Sequence, residues 1–342
     1  MNALAHPDAR LEVSDLRVRF EGDDDRVLAV NGVSFSVRPG GVLALVGESG
    51  CGKSVTALAV LGLLPATAVR EGSVRLEGRE LSGLSLRQLR DVRGREISMI
   101  FQEPMTSLNP SFTVGFQIGE VLRRHEGISR QAARVRAAEL LDLVRIPAAT
   151  GRVHDYPHQM SGGMRQRVMI AMAVACNPKV LLADEPTTAL DVTIQAQVLD
   201  IMRDLRDQFG TSIVMITHDL GVVADIAEDV VVMYAGHVVE SGDVDSVFEN
   251  PQHPYTVGLL GSVPRPDLTA EEAPERLREI PGIVPTLRER PESCVFAPRC
   301  PRADEPCHTE MPPLRETAPG QEAACVHPGP AVAPAEEVVS RE

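Results

Sequence analysis

The stretch GESGCGKS, residues 47–54, meets the spacing G-x-x-x-x-G-K-[ST] in full. Gly47, Gly50 and Gly52 let a loop wrap closely, and the N–H groups of Ser49 and Cys51 complete its inner lining. Such a loop, closed by a helix N-terminus, presents backbone donors to phosphate oxygens. Lys53 is placed to reach the outer phosphates of a nucleoside triphosphate, and Ser54 to hold Mg2+. Lys53 stands out further because it and Lys179 are the only lysines in the chain. A second candidate is VLLADEP, residues 180–186, an apolar run that ends in two carboxylates. Asp184 suits a Mg2+ contact, and Glu185 is placed to orient and polarise an attacking water. A third set is cysteine. Four of the six cysteines, Cys294, Cys300, Cys307 and Cys325, lie late in the chain with spacing C-x5-C-x6-C-x17-C.

These residues need elements to position them. The phosphate loop follows VLALV (42–46), an apolar run suited to a buried strand, and opens a helix from Gly52 to about Leu64, stopped by Pro65. LEVSDLRVRF (11–20) alternates as a half-buried strand does, VNGVSFSV follows it, and RPGG (38–41) marks a turn. GSVRLEG (72–78) reads as a short strand. From about Gln102 to Ala175 helical patterns dominate. In 129–145, Ala133, Ala137, Leu140, Leu141 and Val144 share a face behind Ser129 as N-cap. VLLAD and SIVMIT (212–217) read as buried parallel strands, with an amphipathic segment between them. VVVMYAGHVVESG (230–242) reads as a hairpin turning at Ala235–Gly236. After about Asn250 prolines cluster and alternation fades, so a boundary is expected near residue 250. The end, 329–342, has the composition of a disordered tail.

Composition narrows the classes. The chain has 342 residues, no Trp and a net charge of −14. That charge argues against non-specific nucleic-acid binding, and no nucleic-acid partner is expected. RQLRDVRGRE (87–96) mixes both signs and reads as a solvated helix surface. The start, MNALAHPDARLEV, has neither the basic nor the apolar region of a secretory leader. The apolar stretch 54–69 is broken by Pro65 and is too short for a bilayer span. A soluble chain in a reducing compartment is expected, touching any membrane through a partner.

MSGGMRQRVMIAMAVACNPKVLLADEP (160–186) resembles the signature motif and following helix of ABC ATPases, with Ser161, Gly162 and Gly163 as the S-G-G. Met164 stands where the family often has Gln. Gln102 in MIFQEP resembles the family's Q-loop, Asp191 in TALD its D-loop and His218 in MITHDL its switch histidine; Phe20 is a weaker match to the aromatic that stacks on adenine. The resemblance spans about residues 11–250. It implies an α/β fold: a P-loop NTPase (ABC ATPase) core with an antiparallel β subdomain, a helical subdomain at about 103–175 and a small C-terminal extension at 251–328. It implies ATP hydrolysis with Mg2+ held by Ser54, Gln102 and Asp184. Lys53, Ser54, Gln102, Asp184, Glu185 and His218 would act on one nucleotide. Ser161–Gly163, with Asp191 at the seam, would complete the site of a second, related ATPase subunit.

FQEPMTSLNP (101–110) and NPQHPYTVGLLGSVPR (250–265) resemble ATPase subunits of bacterial dipeptide and oligopeptide importers, with nickel importers as near relatives. The resemblance implies two transmembrane permease subunits, an extracytoplasmic peptide-binding protein and a place on the cytoplasmic face of the membrane. Members of that group with such a cysteine set imply a 4Fe-4S cluster on Cys294, Cys300, Cys307 and Cys325. By residue chemistry alone zinc and unligated thiols stay open. The close C-x2–4-C pairs usual for structural zinc are absent, while iron–sulfur sites have looser spacing. His308 and His327 read as solvated. Cys51 reads as a neutral filler and Cys176 as a small buried residue.

Overall fold

A computed structural model describes residues 6, 8–22, 26–102, 107–188, 190–262 and 280–329. Strand β1 (Leu11–Glu21) pairs antiparallel with β2 (Arg26–Val37), Leu11 opposite Val37. Its inward residues Leu11, Val13, Leu16 and Val18 are buried. β3 (Val42–Val46) is buried at every position, as a strand covered on both faces must be. A tight loop leads into α1 (Lys53–Leu61), which ends on left-handed Gly62 rather than running on to Leu64. β4 (Ala68–Leu76) returns beside β1, and β5 (Arg79–Glu80) completes a sheet of order β2-β1-β4-β5. α2 (Leu86–Val92) starts on a capping box made by Ser85 and Gln88. The mixed-charge stretch 87–96 is more than solvated surface. Leu89 and Val92 are buried, and Arg93 donates to the carbonyls of Leu61 (2.8 Å) and Gly62 (2.6 Å). A cation belongs there, at the negative end of α1.

β6 (Ile97–Ile100), four buried residues, goes unread in the sequence because so short a run carries little periodicity. Helices α3 (Val114–Glu126), α4 (Arg130–Leu143), α5 (Ala149–Arg152) and α6 (Gly162–Val174) follow. They pack around Ile118, Leu122, Ala137, Leu141 and Val168. Ser129 caps α4 by accepting from the Ala132 N–H at 3.2 Å. The chain continues through β7 (Val180–Asp184), α7 (Val192–Phe209), β8 (Ser212–Ile216) and α8 (Leu220–Ile226) to the hairpin of β9 (Asp229–Tyr234) and β10 (His237–Asp243). Ala235 and Gly236 turn that hairpin with positive φ, as a two-residue turn between twisted strands needs. After α9 (Val244–Glu249), α10 (Pro254–Gly261) and α11 (Glu305–Thr309) come β11 (Arg315–Ala318) and β12 (Gln321–Ala323). The large sheet runs β11-β12-β10-β9-β3-β8-β7-β6. β9, β3, β8, β7 and β6 are mutually parallel, so their carboxyl ends share one edge.

Two features hold the segment after residue 250 to this sheet. Glu240, fully buried on β10, accepts from the backbone N–H groups of Gln252 (2.6 Å) and His253 (2.9 Å) and from Gln321 Nε2 (2.7 Å). Beside it Tyr234, Tyr255 and Phe296 pack with ring centroids 4.7–5.4 Å apart. His253 is buried against Phe296 and caps α10 by accepting from the Tyr255 N–H. The tail expected to be disordered lies, apart from Gly329, outside the described residues.

Burial pushes His253 down to about 3. The folded chain therefore binds fewer protons here than the unfolded chain below the ordinary histidine value of about 6.5. This contribution to stability is present above that value and is lost as pH falls toward the folded value. The wild-type melting temperature should drop more between pH 7 and pH 5 than that of His253→Asn, which keeps an N-cap acceptor but cannot charge. Equal slopes in thermal scans would refute this.

Candidate nucleotide site

The shared edge of the parallel strands is where the chemistry collects, as expected for carboxyl ends at a reversal of strand order. β3 delivers the loop 47–52, β6 ends two residues before Gln102, β7 ends on Asp184, and β8 leads through Thr217 to His218. Lys53 is buried, and its ammonium donates to the carbonyls of Gly47 (2.7 Å) and Glu48 (3.0 Å). Cys51 is fully buried with Sγ 3.8 Å from Lys53 Nζ, and burial raises its thiol above the ordinary value. Ser54 Oγ donates to Asp184 Oδ1 at 3.0 Å. Burial raises the Asp184 carboxyl; the Ser54 hydrogen bond works against that, and the Glu185 charge adds to it. Ser54 and Asp184 are thus an adjacent hydroxyl and carboxylate, the hard oxygen donors that Mg2+ takes.

Glu185 is the meeting point. Its Oε2 accepts from Gln102 Nε2 (3.1 Å) and Thr188 Oγ1 (2.9 Å), and its Oε1 lies 3.2 Å from His218 Nδ1. Burial opposes its charge, but the hydrogen bonds from Thr188 and His218 outweigh it and hold the carboxyl below its ordinary value. Glu185 also has φ 48, left-handed for a residue with a Cβ. The strained backbone turns the chain at the end of β7, while the Glu185 N–H is kept by the Ile216 carbonyl at 2.8 Å. A charged carboxylate held from both oxygens can orient and polarise a water. Lys53 and the N–H groups of the loop can neutralise developing phosphate charge.

The structure brings Lys53, Ser54, Gln102, Asp184, Glu185 and His218 to one edge. The signature residues open α6 and take no part in the hydrogen bonds around Glu185. Ser161 is the exposed N-cap of α6, accepting from the Met164 N–H, and Gly162 is exposed beside it. Gly163 packs toward Ile194 on α7. Asp191 caps α7 by accepting from the Ile194 N–H at 2.9 Å. Phe20 is half-buried on β1, packed on the core of the four-stranded sheet. Sequence reading missed the role of Thr188, although it lies in the TALD stretch. It also missed Gln166, whose buried Nε2 donates to the Pro186 carbonyl at 2.6 Å and ties the signature helix to the exit from β7. A glutamine inside an apolar helix was the available signal.

At the cysteine segment, the Cys294 N–H donates to the Cys307 carbonyl at 3.0 Å. Burial raises Cys300, Cys307 and Cys325, the last to about 11, and the charge of Cys294 adds to all three. Cys294 and Cys300 pack against the apolar cluster that includes Val295 and Phe296. The tightest donor group among the described residues is different: one ligand atom each from Asp304, Cys307 and His327 lie within 4.8 Å of one another. Asp304 accepts from the Cys307 thiol (3.2 Å) and lies 2.7 Å from His327 Nε2, so His327 is more than a solvated side chain.

Parallel strands with this loop, this acidic strand end and an exposed S-G-G at a helix start define an ATP-binding cassette. The comparisons agree. Residues 30–188 match the ABC transporter family, and residues 239–307 match the oligopeptide/dipeptide transporter C-terminal region. The chain is 53% identical over 327 residues to a probable peptide ABC transporter ATP-binding protein of Sinorhizobium fredii, covering 95% of this chain and 97% of that one. It is 51% identical over 326 residues to the oligopeptide transport ATP-binding protein OppD of Escherichia coli, covering 95% of each. Among solved structures it matches a dimeric ATP-binding cassette in a post-hydrolysis state bound to ADP and Pi, at TM-score 0.62 and 27% identity over 68% of this chain and 98% of that chain. The chain belongs to the ABC transporter ATP-binding proteins that carry the oligopeptide/dipeptide C-terminal region, and it is an ATPase of that family.

Glu185→Gln keeps the shape and removes the charge at the meeting point. ATP binding should stay within about twofold, while turnover falls at least about 100-fold. Equilibrium nucleotide binding and phosphate release check this; near-normal turnover would remove Glu185 from the mechanism.

Proposed function

We propose that this chain hydrolyses ATP to power uptake of di- and oligopeptides through a membrane assembly. One observation carries the reading. A complete phosphate and carboxylate site shares a sheet with the C-terminal region characteristic of peptide transporters. The named relatives above are peptide and oligopeptide transport proteins, and no observation favours nickel. Residues 1–250 would form the cassette, with its helical part at about 103–175, and 251–328 the extension. Ser54 and Asp184, with Gln102 nearby, would hold Mg2+, which supplies charge neutralisation on the phosphates. Glu185 would orient the attacking water, His218 would contact the γ-phosphate, and Phe20 would face the adenine.

Ser161–Gly163 and Asp191 would serve the nucleotide of a second ATPase subunit, which the exposure of Ser161, Gly162 and Asp191 supports. Two permease subunits and an extracytoplasmic binding protein complete the assembly, with this chain on the cytoplasmic face. No described helix is long and apolar enough to cross a membrane. The chain has eight Phe and three Tyr, yet Phe101, Phe112, Phe116 and Tyr156 are exposed. The Val114 N–H bonds the Asp155 carbonyl, joining the Phe112–Phe116 stack to Tyr156. Such an aromatic face suits docking of a membrane subunit.

Cys294, Cys300, Cys307 and Cys325 would hold a 4Fe-4S cluster, with zinc as the alternative metal. Bound, the group would staple a segment poor in apolar residues. The backbone hydrogen bond that joins Cys294 to Cys307 supports a shared site, and Asp304 and His327 are near enough to Cys307 to steady it or compete. Anaerobically purified protein should be brown with about four irons per chain and lose both in Cys300→Ser; a colourless protein with stoichiometric zinc, or with no metal, would overturn the cluster.

The functional test is reconstitution with the membrane subunits and binding protein. Peptide should stimulate ATP hydrolysis severalfold. Indifference to peptide, or stimulation by DNA or ribosomes instead, would overturn the reading.

A further inference from the structure

Glu48, the residue after the first glycine of the phosphate loop, has all three of its polar groups engaged. Its carbonyl accepts from Lys53 Nζ at 3.0 Å. Its N–H donates to Tyr255 Oη at 2.8 Å. Its carboxylate receives a two-pronged pair from Arg299, with Nη1–Oε2 at 2.8 Å and Nη2–Oε1 at 3.0 Å. Tyr255 lies in the first turn of α10 and Arg299 one residue before Cys300, so two of these three partners come from beyond residue 250.

Arg299 is fixed from every side. Nε donates to the Pro281 carbonyl at 2.7 Å, Nη2 to the Ile280 carbonyl at 3.0 Å, and Nη1 also reaches Tyr234 Oη at 3.4 Å. Its guanidinium carbon lies 5.6 Å from the centre of the Tyr234 ring. The side chain is only 5% exposed, against 30% for Glu48. A fork this well shielded resists solvent screening, unlike the exposed ion pairs elsewhere on the chain. The aromatic cluster of Tyr234, Tyr255 and Phe296 sets the position of both partners.

We infer that Arg299 is a positioning residue for the phosphate loop, through which the cysteine-bearing module sets nucleotide affinity. Arg299 and Tyr255 hold Glu48 by side chain and N–H. Glu48 in turn places the carbonyl that bonds Lys53. Releasing the fork lets residues 48–51 adopt other conformations, and a loop that must be ordered at binding binds more weakly. The inference rests on the nucleotide site and is independent of what is transported.

The full chain with Mg-ATP tests it, using equilibrium binding of a fluorescent ATP analogue and steady-state hydrolysis. Arg299→Gln should weaken ATP binding about tenfold and raise KM alike, with kcat within about twofold, the size expected for a lost charge-assisted hydrogen bond. Glu48→Gln should do the same. The double variant should be no worse than the weaker-binding single, because both remove one interaction. Arg299→Lys should recover less than half of the loss, since an ammonium lacks the fork. Should Arg299→Gln fail to fold, Glu48→Gln and Tyr255→Phe decide the matter, the second keeping the ring and losing only the oxygen that takes the Glu48 N–H. Unchanged affinity in either, a lower melting temperature with wild-type affinity in Arg299→Gln, or losses that multiply in the double variant would each overturn the proposal.

Discussion

The phosphate loop is wedged between two strands of different sheets, and the rest of the molecule is arranged around that wedge. A Cβ at Gly47 would collide with the Met233 carbonyl on β9, and one at Gly52 with the Ala29 carbonyl on β2. Both glycines have positive φ, 146° and 97°. Backbone therefore packs on backbone with no side chain between, and the two ends of the loop have little room to shift, while residues 48–51 between them depend on other contacts. The four-stranded sheet does more than cover a face, because Ala29 of β2 is one wall of the wedge. The Gly236 N–H closes another side by donating to the Cys51 carbonyl at 3.1 Å.

With the loop fixed, the remaining groups arrive by topology. Parallel strands end together, so β6, β7 and β8 bring Gln102, Glu185 and His218 to the edge that β3 supplies with Lys53. The convergence on Glu185 is tight enough to sustain a left-handed backbone at a residue with a Cβ. Gln166 adds a mechanical link, since its buried amide joins the signature helix to the Pro186 carbonyl beside that strained turn. That one hydrogen bond fixes the place of α6 relative to the turn that carries Glu185.

Much of this was legible from short-range pattern. The glycine spacing, the apolar runs ending in a turn or an acid, the Ser129 cap and the Ala235–Gly236 hairpin all depend on neighbours within a few residues. β6 escaped because four apolar residues carry no usable period. Thr188 was read as part of a motif and not as a donor to Glu185, because that contact depends on how the chain leaves β7. The stretch 87–96 was read by its charges, whereas Arg93 turns inward to the end of α1.

The class of chemistry and the family can be read from consecutive residues alone. Phosphate binding needs a local loop of fixed composition, and such loops are written in consecutive residues. That Glu48 is gripped from the far end of the chain, by Arg299 251 positions away and by Tyr255 at 207, comes from the packing of distant elements. A glutamate at a variable motif position and an arginine between two cysteines have no reason to be paired in sequence. Their pairing follows from β10 and β12 joining the sheet and from an aromatic cluster that seats Tyr255 and Phe296 against Tyr234. Contacts of that range are set by how elements pack, which no local pattern encodes.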